Sequence, residues 1–182
     1  HQVQIGLFSN SIKGRIINGD SPLALIEEYT TYSGRMRELP DWIHEGAILG
    51  MQGGTEKVMA AYQTMKDKRG AVAGLWLQDW VGQRKTSFGK QLWWNWELDN
   101  DRYENWGDML AGLNNDDVHV LTYINPFFAQ VDDKPNVQKN QFNELLEKGF
   151  LVKTHNGEPY LIENTSFSAG LIDLSNPEAR RW

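Results

Sequence analysis

Five residues of this chain carry side chains of the kinds that bind polar ligands: Gln52, Gln78, Asp79, Gln91 and Trp94. The first three follow short apolar runs, and the last two lie in "KQLWWNW". Amides and carboxylates form hydrogen bonds with hydroxyl groups, and an indole ring covers an apolar face while its edge N–H donates. This combination is typical of a carbohydrate pocket. The alternative is that these polar residues only cap strands and turns.

Tryptophan is crowded into one stretch, "LWLQDWVGQRKTSFGKQLWWNW", which covers residues 75–96 and holds five of the chain's 8 tryptophans. Such large side chains need either a core or a ligand to cover them. After Asp79 the stretch carries Arg84, Lys85 and Lys90 and no acidic residue, in a chain of net charge -6. These cations either form a solvated basic loop or line a pocket for an anionic sugar, whose lost hydration they would offset.

Composition argues against several other classes of protein. The 182 residues, 40% hydrophobic and 23% charged, describe a globular protein with room for one good-sized core. The negative charge argues against nucleic-acid binding, and no apolar run approaches the roughly 18 residues of a membrane span. The chain has no cysteine, and its 4 histidines show no paired ligand spacing, so we expect neither a metal nor another cofactor. The cellular compartment stays open, with the cytoplasm favoured.

Strands and helices are predicted to alternate from residue 46 onward. The predicted strands cover residues 46–54, 72–80 and 118–126, and a fourth begins at residue 169. The predicted helices cover residues 55–70, with a threonine cap, 103–115 and 137–150. This alternation favours an α/β fold with a parallel sheet. Because no glycine-rich nucleotide motif follows the first strand, we predict a partial (β/α)8 TIM barrel.

Polar residues stand at the predicted strand ends. Gln52 would end the first strand, Gln78 and Asp79 the second, Asn125 the third and Asp173 the fourth. The active site of a (β/α)8 barrel lies at the carboxyl ends of its strands. We therefore expect these side chains to form a ring around a single pocket. For Asn125 a role in a turn is an equal alternative.

The chain is predicted to divide into three parts. Residues 1–20 are punctuated by Gly and Asn and β-rich, which is typical of the tail of a preceding β-domain. Residues 21–45 hold a linker helix that stops at Gly34 and a proline-marked lead-in to the barrel. Residues 46–182 form the N-terminal half of the catalytic barrel. Because the ends "HQVQIGLF" and "NPEARRW" look cut, we expect a fragment of a longer protein.

Four segments carry a resemblance to a known family: "RELPDWIHEGAILGMQGG", "LWLQDWVGQRKTSFGKQLWWNW", "TYINPFF" and "AGLIDLSNPEARRW". They resemble the first half of the catalytic barrel of glycoside hydrolase family 31, in its sulfoquinovosidase branch, which is related to the α-glucosidases. The resemblance covers roughly residues 23–182. It implies a retaining α-glycosidase with an aspartate nucleophile and an aspartate acid/base on later barrel strands. The family's nucleophile motif, of the type "GWMADFGE", has no match here, so we expect both catalytic residues beyond Trp182.

The resemblance also implies roles for single residues. The sulfoquinovosidase branch has a dispersed Gln-Gln-Arg-Trp set that binds the sulfonated sugar, and Gln52 and Gln78 match its glutamines. Gln78 would contact the hydroxyl next to the sulfonate arm, and Trp94 would donate its N–H to a sulfonate oxygen. Gln91 stands where the family has arginine, and a neutral amide donates without supplying charge. Lys90 or Arg84 would have to compensate.

Three interpretations of the function remain. The first is a fragment of a sulfoquinovosidase-like enzyme, whose partners are an α-glycoside, sulfonated or not, and the rest of its own barrel. The second is the same enzyme class acting on a neutral α-glucoside or α-galactoside, as Gln91 suggests. The third is a non-catalytic carbohydrate-binding module. None of them involves nucleic acid or a membrane.

Overall fold

The structure, a computed structural model, describes residues 4–182, and the chain divides into two compact units, His1–Pro40 and Asp41–Trp182. The first unit holds helix α1 (Pro22–Ser33), which is capped where Ser21 Oγ accepts a hydrogen bond from the N–H of Ala24 at 3.2 Å. Residues 4–20 form no strand, because an extended segment becomes one only beside a hydrogen-bonded neighbour. The interpretation of residues 1–20 as the β-rich tail of a preceding β-domain stays a prediction.

The second unit contains all the strands of the part of the chain that the structure describes. These are β1 (Ala47–Met51), β2 (Val72–Leu77), β3 (Gln83–Thr86), β4 (Gly89–Leu92), β5 (His119–Thr122), β6 (Phe127–Ala129), β7 (Leu161–Asn164) and β8 (Phe167–Leu171). Its helices are α2 (Thr55–Asp67), α3 (Trp106–Asn115) and α4 (Gln141–Glu147), preceded by a 3₁₀ turn over Asp41–His44. The predicted alternation of strands and helices is confirmed up to β5, and the Trp-rich stretch adds the β3–β4 hairpin.

A parallel sheet in the order β1-β2-β5 is the frame of this unit. Its helix-covered face packs Leu75 and Leu77 against Val58 of α2 and Leu113 of α3, and all four side chains are fully buried. Helices against one face of a parallel sheet are the arrangement of a (β/α)8 barrel wall. Three strands do not close a barrel, so within residues 4–182 the sheet is open at both edges.

The other face of the parallel sheet is apolar and left partly uncovered, although Trp42 of the 3₁₀ turn stacks on His119 at one end. Ile48, Trp76 and Leu121 are 40%, 42% and 36% exposed. Gly50, Trp76 and Leu121 are register partners across the three strands, so they point to the same side. In a closed barrel this side is the interior. The face therefore has the position that further barrel strands would cover.

The prediction of a fourth barrel strand is wrong. Strand β8 pairs antiparallel with β6 and β7 in a separate sheet of order β6-β8-β7. The apolar run correctly indicated a strand, but hydrophobicity does not tell which neighbour a strand pairs with. Asp173 consequently ends no barrel strand. Its Oδ1 accepts from the N–H and the hydroxyl of Ser175, and these hydrogen bonds lower the pKa of the Asp173 carboxyl.

Two helix starts also differ from prediction. Thr55 is the first residue of α2 rather than its cap, and its hydroxyl donates to the carbonyl oxygen of Glu104 at 2.7 Å. The cap is Gly54 (φ 87°), where a Cβ would collide with the carbonyl oxygen of Arg102. Helix α4 is shorter than predicted, because the Asn140 side chain accepts from Asn143 N–H at 3.1 Å and starts the helix there.

No helix among the described residues has the length and apolarity needed to cross a membrane.

Candidate functional site

Four of the five predicted ligand-binding residues line one cavity. Gln52, Gln78, Gln91 and Trp94 surround a space of about 250 Å³ at the carboxyl ends of β1 and β2. The rest of the lining is formed by Gln83, Lys90, Leu92, Tyr123, Asn164 and Phe167. The parallel strands, the β3–β4 hairpin and the β7–β8 hairpin thus converge on the same cavity. The β7–β8 hairpin was not predicted from the sequence, so its contribution to the cavity is a finding of the structure.

The fifth residue, Asp79, does not line this cavity. Its side chain is fully buried. Oδ1 accepts from the Tyr103 hydroxyl at 2.5 Å, and Oδ2 accepts from Gly53 N–H at 3.0 Å and from Arg102 Nε at 2.6 Å. Burial and the hydrogen bond to this carboxylate raise the pKa of Tyr103, which keeps the hydroxyl a donor. A direct contact of Asp79 with a ligand stays a prediction.

Three glutamines form a hydrogen-bonded row beside the cavity. Gln83 Nε2 donates to Gln52 Oε1 at 3.0 Å, and Gln52 Nε2 donates to Gln78 Oε1 in a short contact. Arg102 reaches the start of the row, because its terminal nitrogen donates to Gln83 Oε1 at 3.1 Å. Gln83 was not predicted as a site residue. Its amide side chain and its place in the Trp-rich stretch could have indicated a role at the site.

Gln91, which the resemblance places at an arginine position, has one end of its amide without a partner. Its Nε2 donates to Thr165 Oγ1 at 3.2 Å, while its Oε1 is buried without a hydrogen-bond partner among the described residues. An unsatisfied buried acceptor costs about 1–3 kcal/mol.

Trp94 is held by aromatic neighbours and keeps its donor available. Its ring packs edge-on against Phe167, with centroids 5.1 Å apart, and tilted against Phe127 at 5.6 Å. Within residues 4–182 the indole N–H has no protein acceptor. A half-buried ring with an available N–H at the cavity is what the predicted contact with a ligand oxygen requires.

The other four tryptophans of the crowded stretch are held by protein contacts or lie on the sheet. Trp80 Nε1 donates to the carbonyl oxygen of Tyr123 at 2.8 Å, and Trp96 Nε1 donates to that of Phe127 at 3.2 Å. Trp93 is buried, and Trp76 lies on the uncovered face of the parallel sheet. The crowding is therefore mostly structural, and Trp94 alone among the five lines this cavity.

Arg84 and Lys90, the two cations that could supply the charge that Gln91 lacks, have different positions. The Arg84 guanidinium lies over the rings of Trp93 and Phe167, at 4.0 and 4.3 Å from their centroids, and donates to the carbonyl oxygen of Gln130. Burial lowers the pKa of Arg84. This residue lines a neighbouring cleft of about 610 Å³, whereas Lys90 is exposed and lines the cavity itself. Lys90 is thus the better placed of the two to supply positive charge.

Asn125 has the role of a turn residue. Its Oδ1 accepts from the N–H of Phe127 at 2.9 Å, and its Nδ2 donates to the Tyr123 hydroxyl at 3.1 Å. The second bond orients Tyr123, which lines the cavity. Of the predicted ring, the ends of β1 and β2 reach the cavity directly, and β5 reaches it through Tyr123.

Comparison with known proteins supports the family and the fold. The model of the family "Glycosyl hydrolases family 31 TIM-barrel domain" matches residues 40–182. The chain is 37% identical to the sulfoquinovosidase of Escherichia coli (strain K12) over 179 residues, which are 98% of this chain and 25% of that protein. It is 30% identical to the sulfoquinovosidase of Agrobacterium fabrum (strain C58) over 182 residues, which are 100% of this chain and 26% of that protein.

A solved structure is similar as well. The GH31 family sulfoquinovosidase from E. rectale, in complex with the aza-sugar inhibitor IFGSQ, matches with a TM-score of 0.77 and 37% identity. The match covers 90% of this chain and 24% of that structure. The chain therefore spans about a quarter of the length of the relatives that it matches.

Proposed function

This chain belongs to glycosyl hydrolase family 31, and from that premise we propose that it is part of a retaining α-glycosidase of the sulfoquinovosidase type. The relatives that are 37% and 30% identical to it are sulfoquinovosidases. The observation that carries the proposal is the cavity at the ends of β1 and β2, where Gln52, Gln78 and Trp94 come together. Amides and an available indole N–H suit the hydroxyls and the anionic arm of such a sugar.

An anionic arm would be bound by two groups in this proposal. The Trp94 N–H donates to one oxygen, and the exposed Lys90 supplies the charge that Gln91 lacks. The Gln91 Nε2 carries two protons, so it can keep its bond to Thr165 Oγ1 and donate the second proton to the ligand. Hydrogen bonds to a charged group contribute about 1.5–3 kcal/mol each.

Catalysis itself is assigned to residues beyond this chain. A retaining mechanism needs a carboxylate nucleophile and a carboxylic acid about 5–5.5 Å apart, on either side of the scissile bond. We place both beyond Trp182, on later strands that would also cover the apolar face around Trp76. This chain's part is to bind the sugar and orient its anomeric carbon towards that pair.

One observation favours a second candidate, the same enzyme class acting on a neutral sugar. Gln91 lines the cavity as a neutral amide, and an amide without charge suits a hydroxyl better than a sulfonate. In this case Trp94 would pack against the sugar without donating a hydrogen bond to an anionic group.

Hydrolysis by the full-length protein decides between these functions. Nitrophenyl α-sulfoquinovoside and nitrophenyl α-glucoside are compared by kcat/KM. The proposal predicts a marked preference for the sulfonated substrate. A preference for the plain glucoside would support the neutral-sugar candidate, and binding of either glycoside without hydrolysis would support a non-catalytic module.

A further inference from the structure

A one-way row of hydrogen bonds runs from the core to the cavity. It starts at the buried carboxylate of Asp79, passes through Arg102 and continues along Gln83, Gln52 and Gln78. Each glutamine accepts through Oε1 from the residue before it, and the first two donate through Nε2 to the residue after them. The row therefore has a direction.

Arginine sets this direction, because its guanidinium carries only donors. The Gln83 amide must turn its Oε1 towards Arg102, which leaves its Nε2 facing Gln52. Gln52 must then accept from Gln83 and donate to Gln78. A turn of any one amide by 180° would oppose two donors or two acceptors. The partner of Gln91 is a hydroxyl, which imposes no such direction.

Arg102 is itself held firmly. Its Nε lies 2.6 Å from Asp79 Oδ2, a second guanidinium nitrogen contacts the same oxygen, and only 27% of its side chain is exposed. Its backbone N–H donates to Asp99 Oδ1 at 3.1 Å, and its carbonyl oxygen accepts from Thr55 N–H at 3.3 Å. The head of the row is thus fixed by a buried charge, independently of any ligand.

We propose that Arg102 and Gln83 are positioning residues that make Gln78 a hydrogen-bond donor to the substrate, an inference that rests on the proposed function. The Oε1 of Gln78 accepts a hydrogen bond from Gln52, and its Nε2 has no protein partner within the described residues. The contacted sugar oxygen must therefore accept. If that oxygen belongs to a hydroxyl, its own proton points away from Gln78 towards another acceptor.

The variant Gln83→Glu tests this, because it reverses the direction of the hydrogen bonds while every residue of the row keeps a partner. A carboxylate at this position accepts from Arg102 and also from Gln52, so the Gln52 amide turns over. Gln78 then donates to Gln52 and presents Oε1 to the sugar. A sugar hydroxyl must then turn its proton to Gln78 Oε1 and gives up the acceptor which that proton had in the wild type. This loss should raise KM about tenfold for both nitrophenyl glycosides. The value of kcat should stay within about twofold, because the contact is made equally in the ground state and the transition state.

The control is Gln63→Glu, which adds the same charge at an exposed position on α2. It should leave KM unchanged. A general weakening of the barrel by Gln83→Glu would lower kcat as well as raise KM, and would count against a positioning role. An unchanged KM for Gln83→Glu would overturn the inference.

Neutron diffraction from deuterated crystals of the full-length protein gives a test that needs no activity. The inference predicts deuterons on the Gln52 nitrogen that faces Gln78 in the wild type and on the nitrogen that faces position 83 in Gln83→Glu. The opposite orientation in the wild type would refute the row's direction, whatever the enzyme hydrolyses. Failure of the wild type to hydrolyse either glycoside would instead refute the proposed function, and the deuteron positions would then decide the inference alone.

Discussion

Replacing Asp79 by asparagine should destabilise the barrel domain by about 3 kcal/mol. The carboxylate is fully buried and accepts from Tyr103, Gly53 and Arg102. An asparagine can keep its oxygen towards Gly53 and Arg102 and its amide towards the Tyr103 hydroxyl, but each bond loses its charge assistance. Removing one partner of a buried ion pair costs about 3–5 kcal/mol. Since the Arg102 side chain is 27% exposed, water can solvate it partly, and the lower end applies.

Calorimetry of the full-length protein measures this effect. A loss of about 3 kcal/mol lowers the Tm of a domain larger than 150 residues by several degrees. The matched control is Asp101→Asn, an exposed carboxylate that accepts from Asn136 Nδ2 at 3.1 Å, and its Tm should change by less than about one degree. Equal shifts for the two variants would refute the view that Asp79 is the anchor of Arg102.

Further predictions concern the substrate, the isolated chain and acid stability. In the full-length enzyme Trp94→Phe should lower kcat/KM about ten- to a hundredfold for the sulfonated glycoside only; equal losses on both substrates would mean that Trp94 merely packs. Gln91→Arg should improve the sulfonated substrate by adding a charge-assisted contact; weaker hydrolysis of both would favour the neutral-sugar candidate. The isolated 182-residue chain should show no hydrolysis in the same assay and, because its sheet edges are open, should associate in light scattering; turnover, or a monodisperse monomer with a sharp melt, would count against the half-barrel. Hydrogen bonds from Lys66 and Tyr62 lower the pKa of Asp116, so its stabilising contribution is full above its unfolded pKa of about 3.8 and lost as the pH falls through the lower folded value. The Tm difference between wild type and Asp116→Asn should therefore vanish at strongly acid pH; a difference that persists there would contradict this origin.

The sequence by itself determined the local elements and the side chains that meet at the cavity. Apolar runs of strand length placed β1, β2 and β5, and helical spacing that stops at Gly34 placed α1. These signals are local, since periodicity and capping depend on residues a few positions apart. Gln52, Gln78, Gln91 and Trp94 followed from strand ends and from the resemblance to the family, and they line one cavity.

Only the tertiary structure decided which groups are satisfied by the protein and which remain for a ligand. Asp79 follows the end of β2, yet three donors distant in the sequence occupy its oxygens. Strand β8 was recognisable as a strand, but its antiparallel partners depend on pairing between remote segments. The direction of the glutamine row likewise depends on Arg102, which lies 19 positions from Gln83 along the chain. Hydrogen-bond partners of this kind are chosen by the three-dimensional approach of side chains, and no pattern of neighbouring residues encodes that approach.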